Sequence, residues 1–319
     1  MKSIRSTQVR WILLAASIAI LLYCFVPAVA QIVQKLVNLS GIKNLTIKLL
    51  LYQVGLVVIG LLVELLFVPK SESSLKKLIL NPSKSALNDL ISWGFTLFNL
   101  ENFFFVFCTF GIFHFLLSKF VELLPFSKPF LTIQSPIILF VIILILSDLK
   151  NYIWHRIMHN KIFWSLHAFH HSATEFTILT TYRTHFLQKI VSVVLDTFLF
   201  IIFNVPTIQF FYLRALQDIQ QILQHSNVNW NWGWIGRWLL VSPNAHKIHH
   251  STNPMHFNKN YGNFLIIWDR IFGTYAPLEH RIEIGIPTNP YNQSNYLSDI
   301  FRGILDFKTA IFGLFLPKK

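Results

Sequence analysis

The sequence predicts an all-α integral membrane protein with about four to six membrane-embedded helices and a cytoplasmic helical cap rich in histidine. Three observations carry that expectation. Of the 319 residues, 53% are hydrophobic and only 13% charged, with 31 Phe, and the mean hydropathy is +0.50; soluble domains carry roughly a quarter charged residues. The apolar residues gather in runs long enough to cross a bilayer, since about 20 residues rising ~1.5 Å each span the hydrocarbon. Most of the 13 His fall in tight groups outside those runs. Disorder, collagen and coiled coil are excluded. Two cysteines, Cys24 and Cys108, both in apolar stretches, are too few for a Cys-ligated iron–sulfur cluster or a disulfide framework. The net charge of +13 comes from Lys and Arg that flank apolar segments. That pattern fits cytoplasmic loops and anionic head groups, not nucleic acid, which would call for one dense basic stripe.

In chain order, residues 11–30 hold no charge and follow Lys2, Arg5 and Arg10. The run exceeds the ~7–15 residues of a signal-peptide core and reads as a retained helix. A second span covers about 49–68, interrupted only by Glu64. Lys70, Lys76, Lys77 and Lys84 follow it, which places this loop and the N-terminus in the cytoplasm. Runs at about 90–118 and 129–147 are joined by a segment containing Pro125 and Pro129, a tight return that brings Asp148 back to the cytoplasmic side. Lys119 and Lys128 in that return go against the charge rule. The run 190–213 is broken at Asn204-Val205-Pro206, and a proline removes a helix hydrogen bond, so 190–224 reads as a helical hairpin dipping into the bilayer. Residues 148–188 and those after 225 then face the cytoplasm. Residues 299–316 read either as an amphipathic helix on the membrane surface or as an ordinary packing helix. The organisation is an anchor region with two helices over 1–85, a histidine-bearing region over 86–285 and a tail over 286–319, without internal repeats.

The histidines ask for a chemical reason. His155, His159, His167, His170 and His171 fall within 17 residues, and His246, His249 and His250 within five. Positions four apart on a helix share one face, so His155 with His159 can grip one ion. His167-Ala-Phe-His170-His171 and His246-Lys-Ile-His249-His250 repeat that spacing with a third imidazole between. Eight imidazoles exceed the four to six ligands of a single ion, so two metals close together are the natural reading. Imidazole suits iron, zinc and copper alike. His114, His256 and His280 stand alone and read as structural. A zinc protease is excluded, because no Glu lies between His155 and His159. A bis-haem protein needs axial imidazoles facing each other across the bilayer, which adjacent pairs at membrane edges serve poorly. A non-catalytic membrane protein that binds or transports zinc or iron is the rival.

Asp148-Leu-Lys-Asn-Tyr-Ile-Trp-His-Arg-Ile-Met-His159, Trp164-Ser-Leu-His-Ala-Phe-His-His-Ser172 and Ser242-Pro-Asn-Ala-His-Lys-Ile-His-His-Ser251 resemble the signature of the fatty acid hydroxylase/sterol desaturase superfamily. Thr180-Thr-Tyr-Arg-Thr-His185, Gln224-His-Ser-Asn227, Asn260-Tyr-Gly-Asn263 and Trp268-Asp-Arg-Ile-Phe-Gly-Thr274 resemble its intervening and closing motifs. The resemblance covers about 140–276. It implies a membrane-bound, non-haem di-iron oxygenase, with two Fe ions and O2 as co-substrate, that hydroxylates or desaturates a lipid such as a sterol, fatty acyl chain, sphingolipid or ether lipid. The eight box histidines correspond to the family's ligands, and His225 to an additional one. Gln221 stands where some members carry a further His. His185 matches a recurrent position, as a supporting or substrate-side residue. Asp148 and Asp218 lie near the box helices, where a carboxylate can hold a ligand's N–H; for Asp218 the alternative is an ion pair with Arg214 at i, i+4. Trp154, Trp164 and Phe169 would wall the site. No cytochrome b5-like segment, cysteine quartet or dinucleotide-binding glycine motif occurs. A separate electron donor is therefore implied, of cytochrome b5, ferredoxin or reductase type, docking on the basic cap near Lys161 and Lys247. The site would face the cytoplasm, from a bacterial inner membrane or a eukaryotic endoplasmic reticulum.

Overall fold

The computed structural model describes residues 15, 16, 19, 42–97, 112–123, 133–279 and 282–314. Among them every regular element is helical: α1 Ile42–Phe67, α2 Ser74–Ile79, α3 Lys84–Leu97, α4 Ile112–Glu122, α5 Pro136–Met158, α6 Trp164–His171, α7 Phe186–Ile202, α8 Thr207–His225, α9 Gly233–Trp238, α10 Pro243–His249, α11 Ile267–Ile271 and α12 Tyr296–Phe312. Extended pairing among them is limited to two isolated bridges, Leu240 with Leu265 and Ser251 with Ile284. Among the described residues two helices are long and apolar enough to cross a membrane, α1 over Leu50–Phe67 and α5. Both leave large apolar side chains exposed, Val58 and Leu65 on the first, Ile137 and Val141 on the second. Apolar residues on outer and inner faces alike suit a lipid surround.

The expected span 11–30, with Cys24, lies outside the described residues apart from Ala15, Ala16 and Ala19. So do Cys108, the return between Pro125 and Pro129, Lys128, His280 and the middle of the expected span 90–118. Helix α3 begins at Lys84, before that run, and its first half buries Ser85, Asn88 and Asp89, a polar face that meets protein. The run expected over 129–147 continues without a break to Met158, so Asp148 and His155 ride on one helix with the apolar segment.

The chain forms two compact units, the first from 1–69, 95–147 and 192–220, the second from 70–94, 148–191 and 221–319. In the first, Leu139 and Ile143 of α5 pack on Val205, Phe210 and Leu213. Helices α7 and α8 stop and restart at Asn204-Val205-Pro206, as the proline leads one to expect. Asn204 takes a left-handed conformation (φ 45°), and the Pro206 carbonyl receives the Gln209 and Phe210 N–H groups to open α8. Asp218 accepts from Tyr52 Oη at 2.9 Å and from Arg214 at 3.3 Å, so it sits in the i, i+4 ion pair.

In the second unit α12 packs on α6 around Ala168, Phe169, Tyr291 and Ile300. A Cβ at Gly303 would lie 3.1 Å from the Ser165 carbonyl oxygen, so the glycine permits that approach. Ser242 caps α10 by accepting the Ala245 N–H, with Pro243 in the first turn, where its missing donor costs nothing. Arg183, fully buried, knots the unit together. Its Nε donates to the Phe169 carbonyl at 2.8 Å, Nη1 to the Ser85 carbonyl at 3.0 Å and Asp89 at 3.3 Å, and Nη2 to Ser172 Oγ at 2.6 Å and Asn292 Oδ1 at 2.5 Å. Asp89 is satisfied in turn by the Thr177 and Thr180 hydroxyls at 2.9 and 2.6 Å.

Candidate metal centre

Helix α5 presents His155 in its last turn, and His159 follows in the turn after it. The short helix α6 carries His167, His170 and His171 on one face, α8 ends on His225, and α10 carries His246 and His249 with His250 at its C-cap. All nine belong to the second unit. They gather into two groups whose ligand atoms all lie within 4.8 Å of one another: His155, His159, His167, His171 and His249 in one, His170, His225, His246 and His250 in the other. The groups adjoin, with the His171 and His250 rings stacked at 4.2 Å between centroids.

The outer edges of the rings determine what the inner edges can do. Each of five rings turns Nδ1 to an oxygen: His155 to the Tyr261 carbonyl at 2.9 Å, His167 to Gln188 Oε1 at 3.1 Å, His170 to the Arg183 carbonyl at 3.1 Å, His225 to the Gln221 carbonyl at 2.8 Å and His249 to the Lys259 carbonyl at 2.8 Å. An oxygen acceptor requires the proton on Nδ1, which leaves Nε2 as a bare lone pair. Yet Nε2 of His155 and His167 stand 3.1 Å apart, and those of His170 and His225 3.4 Å. Two lone pairs aimed at each other across such a gap repel unless a cation lies between them. Nitrogens held at ~2.1 Å from one ion are separated by about this much. Among the described residues the buried Nε2 atoms of His159 and His249 have no hydrogen-bond partner. Burial, reinforced by repulsion among the imidazoles, holds His159, His167, His170, His171, His246, His249 and His250 well below the ordinary imidazole pKa, so these rings stay neutral, as metal ligands must be. The donor set therefore fits two metal ions.

Other residues singled out from the sequence have different company. Asp148 accepts from the Phe264 and Leu265 N–H groups and from Trp268 Nε1, each at 2.9 Å, tying α5 to the chain that leads into α11. Gln221 lends its carbonyl to His225 and donates its side-chain amide to Asn263 Oδ1. His185 is bonded to the Ile300 carbonyl at 3.2 Å and accepts the Leu187 N–H, which pins α12. Trp164 stacks against the site, 5.1 Å from the His159 ring and 5.2 Å from His171. Phe169 faces the α12 side instead, and Trp154 meets Phe163.

Gln188 and the carbonyls of Arg183, Lys259 and Tyr261 are ligand supports that the sequence reading did not pick out. Backbone carbonyls carry no residue signal, and Gln188 stands in no motif. The Asn260–Asn263 motif did point the way. Asn260 holds a left-handed turn (φ 54°) and bridges the Ala245 carbonyl and the Ala276 N–H at 3.1 and 2.8 Å. Gly262 admits Asp269, whose carboxylate oxygen would stand 2.9 Å from a Cβ there, and Asp269 fixes the Tyr261 and Gly262 N–H groups at 2.8 Å each. The Tyr261 carbonyl is thereby aimed at His155.

Residues 140–274, which contain all nine imidazoles, match the fatty acid hydroxylase family model. Over that region the chain is similar to the fatty acid hydroxylases. Within and around it the chain is 33% identical to the alkylglycerol monooxygenase of Xenopus tropicalis over 46% of the chain and 32% of that protein. It is 30% identical to an ornithine lipid hydroxylase of Rhizobium tropici over 45% of the chain and 44% of that protein. With human cholesterol 25-hydroxylase it shares 27% identity over 48% of the chain and 56% of that protein. The chain thus spans less than half the length of the first two relatives. No solved structure matches it.

Proposed function

We propose that this chain is a multi-pass membrane oxygenase that uses O2 and two externally supplied electrons to hydroxylate or desaturate a C–H bond of a lipid, with two non-haem irons held by the two imidazole groups. The observation that carries this reading is the pair of adjoining all-imidazole groups, of five and four nitrogens, inside the region that matches the fatty acid hydroxylase family model. Five nitrogens at one ion exceed the four of a closed zinc site, and the relatives are named for lipid hydroxylation, which together favour iron chemistry over zinc storage or transport.

When bound, the iron pair would supply O2 activation. The chain's own residues supply the rest. His155, His159, His167, His171 and His249 would hold one ion and His170, His225, His246 and His250 the other. Gln188 and the four carbonyls keep the protons on the outer nitrogens of His155, His167, His170, His225 and His249, so none of those five is lost to a tautomer flip. Trp164, Tyr261 and Phe176 close apolar walls around the rings, with Phe176 5.0 Å from His250 and Tyr261 5.0 Å from His159, and such walls exclude water from the reacting carbon. The catalytic region is 86–285; the whole chain places about four to six helices in the membrane, two of them in the anchor region 1–85, with the histidine-bearing segments in a cytoplasmic cap. A separate carrier of cytochrome b5, ferredoxin or reductase type delivers electrons to that cap.

The test is metal analysis of the detergent-purified chain by mass spectrometry, with Mössbauer spectra after growth on iron-57. About two irons per chain as a spin-coupled pair, together with a hydroxylated or unsaturated lipid product, is the expected result. Two zincs that iron does not displace, without O2 consumption, would overturn the oxygenase reading in favour of metal binding or transport.

A further inference from the structure

On either side of the motif His246–His250, helices α9 and α11 build a surface that the metal centre does not use. Helix α9, in the run Trp230-Asn-Trp232-Gly-Trp234-Ile-Gly-Arg-Trp238-Leu-Leu240, exposes Trp234 (65%), Ile235, Trp238 (51%) and Leu239; α11 and its C-cap expose Ile271 (61%) and Phe272. The two short helices are fastened side by side. The Ile266 N–H donates to the Leu239 carbonyl at 3.0 Å and Arg270 Nε to the Arg237 carbonyl at 2.9 Å. Gly236 makes α9 sit tight, since a Cβ there would strike the Asn231 carbonyl. Six large apolar side chains thus share one face on a rigid support, a grouping that soluble surfaces seldom leave bare.

The charges that the two helices leave outside the core have one sign. Arg237 lies on α9, and the Arg270 guanidinium is held over the Trp238 ring at 4.2 Å and the Tyr275 ring at 3.4 Å. The one carboxylate of the two helices, Asp269, is buried and taken up by the Tyr261 and Gly262 N–H groups. Tryptophan flanked by arginine on a short amphipathic helix is the chemistry of the zone between head groups and acyl chains: the indole buries its ring and keeps its N–H near water, and the guanidinium meets phosphate. A transient redox partner calls for a small contact governed by exposed charge, which two arginines beside six apolar side chains do not provide.

We propose that the α9–α11 face is a membrane-interface anchor, seated in the head-group region of an anionic bilayer. The proposal rests on the membrane part of the functional reading and is independent of which metals the imidazoles hold. It ties the segment leading into α10, and so His246, His249 and His250, to the lipid surface from which a substrate would come.

The experiment uses the full chain in nanodiscs of phosphatidylcholine with phosphatidylglycerol, with nitroxides introduced one at a time at Trp238→Cys, Val58→Cys and Ser294→Cys after both native cysteines are changed to Ser. Relaxation by O2 relative to a water-soluble nickel chelate reads lipid exposure. The expected pattern is a high ratio at 58, a high or intermediate ratio at 238 that falls when phosphatidylglycerol is withdrawn in an Arg237→Glu background, and a low ratio at 294. A high ratio at 58 with 238 as wet as 294 would overturn the anchor while leaving the membrane reading intact; low ratios at all three would overturn both. Spin–spin broadening at 238 between labelled copies would assign the face to a second copy of this chain, and protection of 238 from both relaxants to a protein partner, each against the proposal. As a check independent of labelling, Trp234→Ser/Trp238→Ser should lose a distinct part of the quenching that brominated lipids cause in the parent chain, which has nine Trp, with the metal content unchanged; an unchanged quenched fraction would count against the anchor.

Discussion

His225 sits in the smaller imidazole group, where its Nε2 lies 3.0 Å from that of His246 and 3.4 Å from that of His170. Removing it leaves three nitrogens for that ion and all five for the other. His225→Ala should therefore keep about one metal per chain where the parent keeps two, with mononuclear magnetic behaviour, read by mass spectrometry and Mössbauer spectroscopy; loss of both or of neither would contradict the division into two groups. Gln188 makes a subtler case, because its side-chain oxygen meets His167 at Nδ1, the outer edge of the ring. Gln188→Leu preserves the volume and removes the acceptor, and removing such an outer partner typically weakens metal affinity ~10–100-fold. A competition titration with a chelator measures this, and a threefold or smaller change would show that the glutamine is dispensable.

At the scale of elements, the geometry of α6 depends on Arg183. The guanidinium takes the Phe169 carbonyl near the helix end and the Ser172 hydroxyl just beyond it, while the residue's own carbonyl orients His170. Arg183→Ala leaves Asp89 buried without its cation, and breaking a buried pair from one side costs about 3–5 kcal/mol. Arg183→Lys keeps the charge but loses the planar fork, so it should recover part of the thermal stability while still holding metal less tightly than the parent. Thermal unfolding and chelator competition on both variants separate the two effects; a lysine variant with parental affinity would show that charge alone suffices. The sequence marked this helix well. Three histidines at i, i+3 and i+4 marked the face that enters the imidazole groups, and the break at Asn204-Val205-Pro206 marked the joint between α7 and α8. What it left unmarked is the register of support: main-chain carbonyls from Arg183, Lys259, Tyr261 and Gln221 reach the rings only after segments as far apart as 155 and 261 have come together. The same non-locality explains Asp148, a carboxylate near a box histidine in sequence that spends its oxygens on the main chain at 264 and 265. It also explains His185, whose ring serves α12.

For the molecule as a whole, apolar runs made the helical membrane class legible, while the lengths of the helices were not, because hydrophobicity does not say where a helix stops. Helix α5 carries its apolar run straight into His155, and α3 starts in a polar stretch that the hydropathy pattern passes over. Burying so many imidazoles has a cost that the whole fold bears, and its dependence on pH has a definite sign. His167, His170, His171, His246, His249 and His250 are buried and held well below the ordinary value of 6.5. In the unfolded chain the same rings titrate near 6.5. Above that pH both states are neutral and the rings add no pH dependence. Below it the unfolded chain binds protons that the fold refuses, so stability falls as pH falls, by up to about 1.4 kcal/mol per pH unit for each ring. Protons also compete with metal for the same nitrogens, in the same direction. The metal content and unfolding temperature of the detergent-purified chain should accordingly be level from about pH 8 to 7 and drop steeply below about 6.5, and the metal-free chain should show the same downward trend. A metal-free chain whose unfolding temperature held level down to about pH 5 would mean that these rings are not shielded as a neutral, proton-refusing cluster.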